Sequence, residues 1–134
     1  MNIHACSFAS ESFRSKQKIQ RNYFLKAGFS QENILLFSPE DLDSKFFKYF
    51  PEASENNRFA WYAFKPFLIL SILQKLKDGE ILFYLDVNDK PLNGIKNYLK
   101  RFFSKNIKYE LLVPLTNYSN LKFSSRFHKN NLSI

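Results

Sequence analysis

Residues Glu80 to Asp89 read EILFYLDVND: an unbroken apolar run that ends in two acids and an amide within four positions. Ile81 to Leu85 has no polar face. A strand of that kind is buried on both sides, which predicts the middle of a sheet covered by helices. In open α/β sheets, ligands collect at the carboxyl ends of the strands, where strand order reverses. Asp86, Asn88 and Asp89 sit at such an end, and Asp86 follows the buried strand directly. Clustered oxygen ligands suit Mg²⁺ or Mn²⁺, hard ions that share their shell with waters and substrate phosphates. The same residues also suit a turn, with Asn88 and Asp89 capping a helix that begins at Pro91. On spacing alone, turn and cap is the preferred reading.

Working outward, the flanking segments alternate between strand and helix patterns. Asn2 to Phe8 reads as a first strand. Glu11 to Ala27 reads as a loosely amphipathic helix with apolar points at Phe13, Ile19, Tyr23, Phe24 and Ala27, stopped by Gly28. Asn33 to Phe37 is a compact second strand. Ser38-Pro39-Glu40-Asp41 predicts a helix start, with Ser as cap, Pro in the first turn and acids at the positive end of the dipole. That helix is expected to run to Phe50 and close at Pro51. Glu52 to Arg58 reads as loop. Pro66 is expected to open a helix that carries Phe67, Leu70, Leu73 and Leu76 to the core and ends at Asp78-Gly79. After the Ile81 strand, Pro91 to Phe103 has Leu92, Ile95, Leu99 and Phe102 at helical spacing. Tyr109 to Val113 is a last strand, and Ser124 to Ile134 reads as a short helix or loose tail. The order predicts an α/β fold, a three-layer sandwich with a mostly parallel central sheet.

Composition sets the outer bounds. The 134 residues fit one domain spanning 1–134, and 45% hydrophobic content with sixteen Phe argues against disorder. The apolar run Phe67 to Leu73 is far short of the roughly 20 residues a membrane span needs. The opening MNIHACSFAS has no basic segment followed by a long apolar one, so no secretory leader is expected. Cys6 is the single cysteine, which excludes a disulfide scaffold and makes a reducing cytoplasm the expected compartment. A net charge of +8 favours an anionic partner: nucleic acid, a phosphorylated substrate or an acidic membrane surface. Apart from a richer stretch, Lys122 to Lys129, the basic residues are scattered and draw no stripe, so nucleic acid is not the expected partner.

Around the central strand, NNRFAWYAFKPFLILSILQKLKDGEILFYLDVND resembles the bacterial family of small GT-A type glycosyltransferases that build capsules and lipooligosaccharides. Members carry an aromatic segment ending Trp-Lys-Pro-Tyr, an apolar helix, a Lys-x-Gly-Asp turn and a strand ending Tyr-x-Asp. Here these parts read Arg58, Trp61-Tyr62-Ala63-Phe64-Lys65-Pro66-Phe67, Lys77-Asp78-Gly79-Glu80 and Tyr84-Leu85-Asp86. The opening HACSFASESFRSKQKIQRNYFLKAGF looks like the family's first strand and helix. The likeness spans Ile3 to Phe103.

The resemblance implies a nucleotide-diphospho-sugar fold whose first strand end, Ser7, Phe8, Ala9 and Ser10, lies beside base and ribose. It implies a divalent ion on Asp86, with Arg58 and Lys65 facing donor phosphates beside Tyr84. Asn88 stands where many such enzymes have a second acid. An amide ligates without charge, so metal affinity should fall unless Asp89 substitutes. The implied activity moves a sugar from a nucleotide diphosphate to a saccharide acceptor. The acceptor half, downstream in that family, is expected to be reduced or missing here, which leaves open a non-catalytic paralogue serving as a binding module. No catalytic base is assignable: His128, Glu110 and Glu80 have no supporting motif. His4 reads as a strand residue, Cys6 as a small core residue, and Trp61, Tyr62 and Phe64 as core rather than a sugar platform. The aromatics near Trp61 and the basic tail suit a membrane's inner face or a second copy of the chain.

Overall fold

The computed structural model describes residues 1–51, 53, 58–105, 113–117 and 120–124, with 58–62, 113–117 and 120–124 described by their backbone. The fold is α/β, and the chain divides into two compact units, Met1–Lys96 and Asn97–Ile134.

The first unit is built on β1 (Ile3–Phe8), α1 (Arg14–Lys26), β2 (Ile34–Phe37), α2 (Ser44–Tyr49), α3 (Arg58–Leu73) and β3 (Ile81–Tyr84). Its sheet is open and all parallel, in the order β2-β1-β3. Chain order and sheet order differ: the chain leaves β1 to one side for β2, then crosses to the other side for β3. β1 is therefore the central strand, and its residues Ile3, Ala5, Cys6 and Ser7 are fully buried. The expectation that Ile81–Leu85 lies mid-sheet is corrected. Among the described residues β3 is an edge strand, half-buried throughout, because the crossover sets it outside β1.

Side chains alternate across a strand with period two, and the two faces of this sheet meet different helices. Cys6, Phe8, Leu82 and Tyr84 pack with Leu42, Phe46, Phe64, Leu68 and Ile72 from the α2–α3 side. Ser7 and Phe83 face α1, where Phe83 meets Phe24 edge-on at 6.5 Å and stacks with Phe29 at 6.0 Å. The buried face of α1 is Gln17, Gln20 and Phe24, continued by Ala27, a spacing of three, four and three. Ile19, read from sequence as an apolar anchor, is exposed. Gly28 ends the helix with φ of 93°, the left-handed geometry that glycine adopts without a Cβ penalty. The Lys96 ammonium donates to its carbonyl at 2.7 Å.

Three helix boundaries differ from expectation. Ser38-Pro39-Glu40-Asp41 does start a turn, with the Asp41 carboxylate accepting from the Ser38 N–H at 2.8 Å, but only a single 3₁₀ turn, Pro39–Asp41, follows. Leu42 turns extended, with ψ of 135°, and buries its side chain. Asp43 then caps α2 by accepting from the Lys45 N–H at 2.8 Å. Pro66 does not open α3. The helix begins at Arg58 and Pro66 lies inside it. That start puts Phe64, Leu68 and Ile72 into the core and turns Leu70 and Leu73 outward. Pro91 does not open the next helix either. Gly94, at φ of 76°, closes a turn that right-handed helix cannot pass through, so α4 runs Ile95–Lys105.

The second unit holds most of α4 and a hairpin of β4 (Val113–Asn117) and β5 (Asn120–Ser124), paired antiparallel with Val113 opposite Ser124. The sheet pairing is thus parallel in one unit and antiparallel in the other. Of the strand expected over Tyr109 to Val113, residues 109–112 lie outside the described residues, as do residues 125–134 of the expected tail. No helix among the described residues is long and apolar enough to cross a membrane.

Candidate functional site

The crossover from β2 to β3 places a strand-order reversal at β1, so the carboxyl ends of β1 and β3 meet at the switch point, the position where open parallel sheets take ligands. From β3 the pairing runs one step further, Leu85 N–H donating to Cys6 carbonyl at 3.0 Å. Asp86 therefore emerges at the rim, on the α3 side like Tyr84. The Tyr84 hydroxyl donates to Asp86 Oδ1 at 3.1 Å, and Lys65 Nζ donates to Oδ2 at 2.9 Å. Lys65 also lies 5.9 Å over the Tyr84 ring. Burial, then the neighbouring Asp86 charge, raises the Tyr84 hydroxyl pKa well above the ordinary phenol value, so it donates at neutral pH. The Asp86 side chain is 46% exposed and that of Lys65 31%: both are oriented, and both are reachable from solvent.

A turn supports this arrangement. Asp89 N–H donates to Asp86 carbonyl at 2.9 Å. From the α1 side, Gln20 Nε2 donates to the carbonyls of Asp86 at 2.6 Å and Asp89 at 3.0 Å. Gln17 does the same service at β1 and β2, donating to Phe37 carbonyl at 2.9 Å. Both glutamines are buried. Lys16, one turn earlier, donates to Asn88 Oδ1 at 2.9 Å.

The residues singled out from sequence separate into three groups. Lys65, Tyr84 and Asp86 meet. Ser7, Phe8 and Ala9 do not present side chains to a ligand: Ser7 is fully buried, Phe8 stacks on Phe64 at 4.0 Å, and Ala9 is enclosed. Ser10 alone of that strand end is partly accessible. Arg58, Trp61 and Tyr62 belong to α3, and their side chains lie outside the described ones; Phe64 is core, as expected. Asp86, Asn88 and Asp89 share one turn but not one direction. Asp86 faces Lys65 and Tyr84, Asn88 faces Lys16, and Asp89 lies beside Asn88 on the α1 side. Neither Asn88 nor Asp89 caps a helix at Pro91, since none begins there.

A hard divalent ion accepts one carboxylate together with waters and phosphate oxygens. The accessible Asp86 carboxylate fits that role, and its ammonium partner rides on a flexible stem whose charge suits phosphate as well as carboxylate. Among the described residues no three His, Cys, Asp or Glu side chains converge, and the carboxylate they bring to this corner is Asp86. Glu80 lies at the opposite, amino end of β3, 3.4 Å from His4. The Lys77 N–H, first among its neighbours, holds the Glu80 carboxyl below its usual range. Neither residue reaches the switch point. Cys6 is buried, and burial pushes its thiol up to about 12, so it is no nucleophile at neutral pH. His128 and Glu110 lie outside the described residues.

Sequence reasoning missed Gln17, Gln20 and Lys16. The available signal was two glutamines on the stripe completed by Phe24 and Ala27, polar groups in slots a helix otherwise fills with apolar ones. Compared with protein-family models, curated proteins and solved structures, the chain matches none. Fold and site define an α/β protein with a small all-parallel sheet and an acid–lysine–tyrosine cluster at its switch point.

Proposed function

We propose that this switch point binds a nucleotide diphospho-sugar, as the donor site of a GT-A-type glycosyltransferase acting in surface polysaccharide synthesis. The observation that carries the reading is the Asp86 carboxylate, oriented by Tyr84 at 3.1 Å and by Lys65 at 2.9 Å, at the switch point of a parallel sheet. The sequence resemblance over Ile3 to Phe103 supports the same reading.

In this reading Lys65 gives its ammonium to the diphosphate, Tyr84 keeps the Asp86 carboxylate oriented, and Ser10 borders the nucleoside. Asp86 would hold Mn²⁺ or Mg²⁺, whose contribution when bound is to neutralise charge on the departing nucleotide. The Asp86–Asp89 turn, pinned by Gln20, steadies the backbone that carries Asp86, and preorganised groups are what electrostatic stabilisation of a leaving group requires. Transfer goes to a saccharide hydroxyl held in line with the breaking glycosidic bond.

A panel of nucleotide sugars screened for thermal stabilisation with and without Mn²⁺ tests the reading and identifies the donor. A specific ligand raises the melting temperature by mass action, and the expected result is a metal-dependent rise for one nucleotide class. Uniform behaviour across the panel contradicts it.

One observation favours a second reading, donor binding without transfer. Asn88 stands in the place of a second acid and is engaged by Lys16, which leaves Asp86 as the carboxylate that this turn, among the described residues, directs toward Lys65 and Tyr84. Measured turnover of the stabilising donor, by hydrolysis or transfer, eliminates the binding-only version.

A further inference from the structure

On the other side of the Asp86–Asp89 turn, α1 and the residues after β3 enclose a separate open cleft of about 180 Å³. Lys16, Ile19, Gln20 and Tyr23 line it from the helix; Val87, Asn88, Asp89 and Lys90 line it from the turn. Lys16, Ile19 and Tyr23 recur at three and four residues, so they form one stripe along α1. Ile19 is 54% exposed, an apolar side chain left uncovered at the cleft rather than packed in the core.

The cleft is unevenly charged. Lys90 Nζ sits 4.8 Å over the Tyr23 ring, and Lys16 Nζ is held by the neutral Asn88 amide and lies 5.1 Å over Phe13. Among the described residues, neither lysine has a carboxylate within ion-pair distance. Two exposed ammonium groups thus border one concavity with uncharged partners, each with donor capacity unspent. Asp89 supplies an acceptor in the same cleft, and the Tyr23 ring with Ile19 an apolar wall. The volume is well below the roughly 300 Å³ where drug-sized ligand pockets begin, a size that suits a ligand smaller than a nucleotide.

We propose that this cleft binds a small anionic saccharide, a single sugar carrying a phosphate or a carboxylate. The anion meets Lys16 and Lys90, the ring lies against Tyr23 and Ile19, and the Asp89 carboxylate accepts from sugar hydroxyls. This assignment does not depend on the donor reading, because it uses the α1 side of the turn and none of Lys65, Tyr84 or the Asp86 carboxylate.

The test is a chemical-shift titration of the full chain with glucose 1-phosphate, glucuronate, glucose and inorganic phosphate. The expected result is saturable shifts at Lys16, Tyr23 and Lys90 with glucose 1-phosphate or glucuronate; which of the two binds more tightly names the anion. Charge-assisted hydrogen bonds of ordinary strength make the loss about tenfold or more in the Lys16→Gln, Lys90→Gln double variant. Both lysines are exposed, so the variant retains the fold. Lys65→Met is expected to leave this titration unchanged while weakening nucleotide binding, which separates the two sites. Absence of saturable shifts with both anionic sugars overturns the proposal. So does affinity for glucose or for inorganic phosphate equal to that for the anionic sugars, or affinity undiminished in the double variant.

Discussion

Lys65 and Asp86 are 21 positions apart in the chain and 2.9 Å apart in space. Both are partly exposed, and an ion pair in that setting contributes under about 1 kcal/mol to stability. Asp86→Ala removes that pair and the acceptor of the half-buried Tyr84 hydroxyl, so the urea unfolding midpoint is expected to shift by the equivalent of about 1–2 kcal/mol. A larger loss would make the pair structural rather than a site kept for a ligand. Cys6 gives the opposite case: fully buried, with a thiol raised by desolvation, it should resist iodoacetamide at pH 8 in the native protein and react once denatured. Fast native labelling would show that β1 is not the closed central strand described here. Asp86 was legible in the sequence as the acid that ends an apolar run, and Lys65 as a base ahead of a helix. Their pairing was not, since it depends on how α3 lies against the sheet.

At the scale of an element, α1 does more than cover the sheet. Gln20 ties the backbone of the Asp86–Asp89 turn to the helix through two carbonyls. Gln20→Leu removes both bonds, and while the Asp86 carbonyl keeps the Asp89 N–H the Asp89 carbonyl loses its Gln20 donor, so about 1–3 kcal/mol of stability should be lost in chemical denaturation. A neutral outcome would mean the turn holds itself. The helix was legible as a helix and its end at Gly28 was plain, but its buried face was misread. Periodicity counts apolar residues, and here two of the buried positions are glutamine, while Ile19 faces solvent. The same limit explains α3. Pro66 looks like a helix start because proline lacks the N–H that the first turn does not need. It stands instead in mid-helix, and the core register is fixed by Phe64, Leu68 and Ile72 around it. In the segment after Ser38, the cap chemistry was readable. The break at Leu42 was not, because it follows from burying that side chain in the core shared by α2 and α3.

For the molecule as a whole, alternating strand and helix patterns were enough to indicate an α/β fold. The strand order was not in the pattern, because an apolar run looks the same in the centre and at the edge. Yet the order β2-β1-β3 is what makes the switch point, by setting the ends of β1 and β3 side by side. The buried groups of this sheet also govern its response to alkali. The Cys6 thiol ionises near 9.0 in the unfolded chain and near 12 in the fold, so above pH 9 the unfolded state has lost a proton the native state keeps. Stability from this group is whole below about pH 9 and falls as pH rises towards 12, by about 1.4 kcal/mol per pH unit. Tyr84, raised from 10.0, adds loss of the same sign above pH 10. Denaturation measured from pH 8 to 11 should show this decline, with a shallower slope in Cys6→Ala; an unchanged slope would refute the assignment to Cys6. The proposed donor site sets the switch-point carboxylate of Asp86 against a diphosphate and a divalent ion. Calorimetry of uridine and guanosine diphosphates with Mn²⁺ tests it most directly: binding is expected for one of them, lost without the ion and abolished in Asp86→Ala, whereas binding indifferent to both metal and Asp86 would contradict it.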